Sequence, residues 1–201
     1  MKMHFTNEYN FEDFKQDLRQ RLEEWAPRSL EEENLRPSAV KMLLMSKDDE
    51  VHVLLTKRSD KVSTHKGQIS FPGGAYDEGD EDIRFTAYRE TFEEVGIPEN
   101  DIEYIGQFDD YVSVFGHHVS CFVGALEYPY DYSFNRDEID DFVEAPLSMF
   151  VDMAYERTEC YNHQGRDVTV YYYYYGGQEI WGLTARILTD FGQKIIRGTK
   201  K

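Results

Sequence analysis

A mixed α/β layer fold is what the order of apolar patterns in this chain predicts. Helical and strand-like periodicities alternate along the 201 residues, no segment repeats, and no Pro/Gly/Ser-rich linker divides them. Phe11, Phe14, Leu18, Leu22 and Trp25 recur at helical spacing, so an amphipathic helix is expected over 11–25, ending at the Pro27 region and covering the fold. Ala39 to Met45 and Val51 to Thr56 are apolar runs separated by the polar SKDDE, the pattern of a hairpin. Gln68 to Phe71 predicts a third strand, closing at Pro72-Gly73-Gly74. The acidic DEGDED (77–82) leads into a helix from about Ile83 to Val95, stopped by Gly96 and Pro98. Strands follow at Tyr104 to Phe108 and His118 to Leu126, then an acidic stretch from Asn135 to Pro146 and a helix from Pro146 to Ala154. Strands flanking NHQGRD and a closing helix over 184–196 complete the order, and Tyr171 to Tyr175 reads as a strand with aromatics on both faces.

Composition narrows the function classes. Acidic side chains number 39 against 22 basic, giving a net charge of −17 that repels polyanions, so nucleic acid and anionic membranes are excluded as partners unless a local basic patch overrides the field. With 15 Tyr and 13 Phe the chain has ample material for a core and is not disordered. The N-terminal residues carry acids from Glu8 and no apolar stretch of signal length, and no run approaches membrane-spanning length, so a cytoplasmic protein is expected. Cys121 and Cys160 form no metal-type pair and read as free thiols in a reducing compartment.

The chemistry is concentrated between residues 54 and 96. In RETFEEVG (89–96), Glu90, Glu93 and Glu94 fall on one helical stripe, with Thr86 and Ala87 one turn earlier, while Phe85, Tyr88, Phe92 and Val95 form the stripe expected to bury. Like charges at these spacings disfavour a helix by a few tenths of a kcal/mol per pair, and a hard divalent cation converts that repulsion into coordination. Taken alone, the three acids also read as a solvated face. Upstream, FPGG places Gly73 and Gly74 where backbone approaches something closely, and its N–H groups suit phosphate oxygens. Arg89 can pair with Glu93 across one turn and orient it. The LLTKRSDKVSTHKGQ segment packs Lys57, Arg58, Lys61, His65 and Lys66 around the single acid Asp60, which is the local basic patch. His65 reads equally as a phosphate contact or a structural hydrogen bond. A basic patch, a glycine loop and a carboxylate cluster are the parts of a site for a metal-bound, phosphate-rich small molecule.

Rival motifs fail on spacing. DEGDED has Gly79 third rather than sixth from Asp77, which excludes a calcium loop, and the helix dipole accounts for its acids. His117 and His118 point to opposite faces of a strand and cannot share a metal. Neither G-x-S-x-G nor H-E-x-x-H occurs. Glu138 and Glu144, in an acidic loop and strand region, read as solvated acids.

At these residues the chain resembles the Nudix hydrolases, whose box runs G-x5-E-x7-R-E-U-x-E-E-x-G-U with U aliphatic. Arg89, Glu90, Glu93, Glu94, Gly96 and Ile97 match, and Thr91 replaces the first U. Counting from Gly74 reaches Asp80 and counting back from Arg89 reaches Glu81, so the loop is one residue longer. That spacing is similar to the coenzyme A pyrophosphatase branch, as are Leu54, Leu55, Thr56, Arg58, Ser59, Gly67, Phe71, Pro72, Gly73, Gly74 and the WGLTAR stretch from Trp181 to Arg186; the branch's second Arg is Ser63 here. The resemblance implies an α/β/α sandwich around a mixed β-sheet with an extra N-terminal helix, residues 1–201 forming one domain with a helical extension over 1–35 and the box over 74–97. It implies metal-dependent hydrolysis of the pyrophosphate of coenzyme A or acyl-CoA to 3',5'-ADP and 4'-phosphopantetheine. Glu90 and Glu94 would hold Mg²⁺ or Mn²⁺, Glu93 would add a ligand or orient and deprotonate the attacking water, and Arg89 would hold Glu93 in place, while in similar enzymes acids beyond the box, here Glu138 or Glu144, supply a base or extra ligand. Lys57, Arg58, Lys66, Gly73 and Gly74 would receive the substrate. The rival readings are hydrolysis of ADP-ribose, NADH or dinucleoside polyphosphates on the same core, and a non-catalytic nucleotide-binding regulator. The expected partner is a small-molecule nucleotide, and a homodimer is compatible with the sequence.

Overall fold

The first helix is written into its own ends. In a computed structural model that describes residues 3–6, 8–29, 34–61, 66–163 and 166–199, α1 spans Phe11–Glu24. Asn10 accepts from the Asp13 amide at 3.1 Å and Asp13 accepts from the Asn10 amide at 2.9 Å, a reciprocal cap. Phe14, Leu18 and Leu22 are buried as the spacing predicts, in the same cluster as the central sheet, so α1 is part of the core rather than a removable cover. Phe14→Ala is therefore expected to cost roughly 3–5 kcal/mol in urea unfolding. A loss below about 1 kcal/mol would make α1 a detachable extension.

The predicted hairpin is β1 (Arg36–Lys47) and β2 (Glu50–Arg58), turned by Asp48 and Asp49, both at positive φ, in a two-residue loop. After the residue-register pairs from Leu43 to Lys47 the two strands diverge. Short strands β3 (Ile69–Ser70) and β4 (Gly73–Ala75) fill the fork, β3 pairing with Thr56 and Lys57 and β4 with Ser38 to Val40. Next come α2 (Ile83–Val95), β5 (Ile102–Gln107), β6 (Tyr111–Val112) and β7 (His117–Leu126), with β7 parallel to β1 and antiparallel to β5. That parallel pair makes the sheet mixed, and its long strands run β8–β2–β1–β7–β5.

β8 (Ile139–Pro146) lies within the acidic stretch, where Ile139, Val143 and Ala145 alternate inward between charges. The helix expected over 146–154 shrinks to α3 (Ser148–Val151). A second sheet of β9 (Arg157–His163), β10 (Arg166–Tyr175) and β11 (Gln178–Trp181) precedes α4 (Gly182–Phe191), which continues as a wider π-type turn over Gly192–Ile196. Tyr173 packs its ring 4.7 Å from Phe150 and bonds Thr189 at 2.8 Å, while Tyr174 faces solvent, so the tyrosine run does decorate both faces. Cys121 is buried and Cys160 exposed, both free. Among the described residues no helix is long and apolar enough to cross a membrane.

One expected face is half right. Tyr88 and Val95 are buried as expected, but Phe92 is 57% exposed and Phe85 is also exposed, and Ala87, Thr91 and Glu94 are buried instead. The helix lies on Ala39 and Phe122 at one end and on Leu43, Leu54 and Ile97 at the other. A bed of this kind over Ala39 admits small side chains at close approach and leaves large rings outside.

Candidate active site

The fork between β1 and β2 brings the glycine pair beneath α2. A side chain on Gly73 would put its Cβ 2.3 Å from the Ala39 carbonyl oxygen, and one on Gly74 would lie 2.4 Å from the Glu90 carboxylate. Gly73 thus requires glycine, because the atoms in the way are backbone, whereas at Gly74 a side chain would push the Glu90 carboxylate aside. The Gly73 amide donates to Glu94 Oε2 at 3.3 Å, so this N–H is directed at the helix rather than at an open phosphate cradle.

Arg89 gathers the acids, but its main partner was missed by sequence. Its Nε and Nη2 donate to the two oxygens of buried Asp80 at 2.8 and 3.0 Å, a bidentate pair, and Nη2 also donates to the Ala75 carbonyl at 3.1 Å. Nη1 donates to Glu90 Oε1 at 2.8 Å and to Glu93 Oε2 at 3.1 Å. The Arg89 guanidinium holds the Asp80 carboxyl well below the usual carboxylate range. Asp80 is five residues past Gly74 by intervening count, and Asp82 caps α2 by accepting from the Phe85 amide at 2.7 Å, so DEGDED is not merely a solvated approach. Thr86 Oγ1 completes the shell on Asp80 at 2.7 Å.

Glu94 is the buried member of the trio, its side chain only 2% exposed, while Glu93 is 49% exposed. Burial pushes Glu94 up to about 8; Arg58, whose Nη1 stands 3.7 Å away, pulls the other way, and the charges of Glu90 and Glu138 add to the rise. Burial likewise raises Glu90, against the pull of Arg89. Glu138 thus stands near enough to act on both carboxylates. Glu144 does not join them, because Lys47 at 2.7 Å and the Tyr132 hydroxyl at 2.9 Å hold it at the hairpin end.

Arg58, Gly73, Gly74, Arg89, Glu90 and Glu94 are therefore brought together, with Glu93 tethered at the rim. Lys61 is bound to Asp137 at 3.1 Å and to the Arg136 carbonyl, so the basic patch is smaller than the sequence suggests. Lys66 is exposed and forms no ion pair among the described residues, and Lys57 likewise forms none. Ser63 and His65 lie outside the described residues. His117 bonds Ser38 at 2.6 Å and His118 bonds Asp110 at 2.8 Å, structural roles on opposite faces as expected.

Among the described residues no three His, Cys, Asp or Glu side chains stand close enough to clasp an ion as they are, since Arg89 engages Glu90 and Glu93. The donor chemistry nonetheless fits a hard divalent cation. Glu94 is an oxygen donor that burial leaves short of counter-charge, with a second carboxylate one turn away and a third across the fork. Arg58 Nε is buried beside it without a hydrogen-bond partner among the described residues, a donor left for an anion.

Comparison with known proteins gives the family and the fold. A family profile described as NUDIX domain matches residues 35–174, which contain the fork, α2 and the main sheet. A protein of Photorhabdus laumondii named Uncharacterized Nudix hydrolase NudL is 34% identical over 169 residues, covering 84% of this chain and 89% of its own length. One of the same name from Yersinia pestis is 34% identical over 143 residues, covering 71% of this chain and 72% of its own. Among solved structures, the MutT protein of Methanosarcina mazei superposes with a TM-score of 0.52 at 20% identity, covering 86% of this chain and 100% of that one. A MutT/nudix family protein of Enterococcus faecalis gives 0.51 at 16% identity, covering 94% and 71%. The sandwich and the mixed sheet are thus those of known structures, and the span of the profile together with the NudL relatives shows that the chain belongs to the Nudix hydrolases, a family of divalent-metal enzymes.

Proposed function

We propose that this enzyme hydrolyses the pyrophosphate bond of coenzyme A or an acyl-CoA, releasing 3',5'-ADP and the (acyl-)4'-phosphopantetheine. The observation that carries the reading is the buried Glu94, set between Arg58, the Gly73 amide and Glu90. Glu90 and Glu94 would hold Mg²⁺ or Mn²⁺, joined by Glu93 or Glu138. When bound, such an ion neutralises diphosphate charge and lowers the pKa of a coordinated water. Arg89, anchored on Asp80, positions Glu90 and Glu93. Glu93, half-exposed at the rim, is placed to take the proton as water attacks phosphorus and the bridging P–O bond breaks. Arg58 receives the phosphates, with Lys57 and Lys66 as outer contacts, while the glycine loop, its Gly73 amide engaged by Glu94, sets the approach of β4 to α2.

Coenzyme A is favoured over other nucleoside diphosphate derivatives by the match from Leu54 to Gly74, which includes β2, β3 and part of β4 at the fork. Ser63, where that branch carries arginine, favours the second reading of a pyrophosphatase for ADP-ribose, NADH or dinucleoside polyphosphates. Product analysis across these substrates with Mg²⁺ and with Mn²⁺ separates them. The 3'-phosphate decides further. Dephospho-coenzyme A is expected to be poorer than coenzyme A by about 10- to 100-fold in kcat/KM, the scale of one charge-assisted contact. Arg58→Ala should narrow that gap by weakening coenzyme A selectively. Equal values for the two substrates in the unmodified enzyme would return the assignment to the broader nucleoside diphosphate class.

A further inference from the structure

Lys41 is a charged residue at the centre of the fold that the proposed reaction does not use. It sits on β1 between Ala39 and Leu43, is 0% exposed, and its Nζ has no hydrogen-bond partner among the described residues. Its strand neighbours Leu43 and Met45 are fully buried apolar side chains under the same helix, so an apolar residue would suit the site better on stability alone. The ammonium instead faces aromatic rings. Nζ lies 3.6 Å from the centroid of Tyr88 on α2 and 5.4 Å from that of Tyr104 on β5. Space for its end is cleared by Gly124 on β7, where a Cβ would come within 3.0 Å of Lys41 Cε.

Tyr88 immediately precedes Arg89 and Glu90. It is the large ring that α2 turns inward, since Phe85 and Phe92 face out and the rest of the buried face includes Ala87 and Thr91. Small contacts hold a helix near a sheet but resist rotation about its axis poorly, whereas a ring seated on a cation has a preferred direction. Rotation matters here, because Glu90 packs against Gly74 with no room for even one methyl group. We infer that Lys41 is a positioning residue for α2, its buried ammonium on the ring of Tyr88 setting the helix rotation that brings Glu90 and Glu94 to the glycine pair. This rests on the reading that Glu90 and Glu94 hold the metal.

Burial makes the charge costly, so the ammonium sits on the ring chiefly below about pH 7. Burial pushes the Lys41 ammonium down to about 7; Cys121 on β7 and Glu99 in the turn before β5 favour the charge, and Arg84 on α2 opposes it. A lysine lowered in the folded state makes stability rise with pH between about 7 and its ordinary value, because the unfolded chain binds the extra proton over that window.

The test uses the full chain and Mn²⁺ alone, titrated without substrate, beside thermal unfolding and kcat. Lys41→Met should melt about 2–5 °C higher at pH 6 and lose the rise of stability above pH 7, yet bind Mn²⁺ about five- to tenfold more weakly and turn over about tenfold more slowly. Loss of a positive charge would by itself tighten cation binding, so weaker binding reports geometry. Tyr88→Leu should melt lower but show the same Mn²⁺ loss, and the double variant should bind within about twofold of either single one. Mn²⁺ affinity within about twofold of the unmodified protein in Lys41→Met, or additive losses in the double variant, overturns the inference. Glu94→Gln distinguishes the premises: if it abolishes Mn²⁺ binding while Lys41→Met does not weaken it, only the Lys41 role falls, and if it leaves Mn²⁺ binding intact, the metal reading and the Lys41 role fall together.

Discussion

Glu94→Gln should lower kcat by at least about 10²-fold while raising the stability of the metal-free protein at neutral and alkaline pH. The two effects have one cause. Glu94 is buried beside Glu90 and within reach of the charge of Glu138, with Arg58 at 3.7 Å as its nearest cation. Folding raises its pKa from 4.5 to about 8, so without metal the folded state retains the proton better than the unfolded chain. Stability linked to that proton is full below about pH 4.5 and is lost as pH rises through about 8. Glutamine keeps the shape and carries no charge, which removes this loss, worth at most roughly 3–5 kcal/mol. It also removes the anionic donor. Urea unfolding with chelator at pH 5 and pH 9, together with steady-state rates, checks both halves. Near-full turnover in Glu94→Gln would remove Glu94 from the proposed metal site.

Chelation should abolish hydrolysis altogether, and Mg²⁺ or Mn²⁺ should restore it. In the proposed site the diphosphate meets Glu90, Glu93 and Glu94 in a chain of net charge −17, and Arg58, already facing Glu94 at 3.7 Å, is too little to offset three carboxylates at short range. The same ion is expected to raise Tm at pH 8 and above, because it binds the folded state's crowded anions and not the unfolded chain. Product formation followed by chromatography after exhaustive chelation is the measurement, with a calorimetric Tm as its companion. Turnover that persists without divalent cation contradicts the proposed chemistry.

Local chemistry was legible in the sequence. The bounds Ile83–Val95 of α2 follow from Asp82 as its cap and Gly96, in the left-handed conformation, as its stop. The hairpin follows from two apolar runs around SKDDE, and the close backbone approach at Gly73 follows from FPGG. Most of the order of helices and strands followed as well, β6 and β8 excepted, because each of the others depends on neighbours a few residues apart.

What only the tertiary structure decided lies where one element meets another. Periodicity assigned Phe85 and Phe92 to the core, yet the bed over Ala39 takes Ala87 and Thr91 and turns both rings outward, which also carries Glu94 inward. Arg89 looked paired with Glu93 because four residues separate them, but the loop folds back to offer Asp80 two hydrogen bonds at once, a stronger arrangement than one exposed contact. β8 was hidden because its outward residues are acids and its inward ones become apolar neighbours only beside β2. The place of Lys41 was equally hidden, since a lysine within an apolar strand marks no partner until Tyr88 is laid over it. Sequence determined the elements and the residue types of the site. The choice of buried face, the anchor of Arg89 and the isolation of Glu94 came from packing, because burial and pairing energies belong to surfaces that exist only once the elements have met.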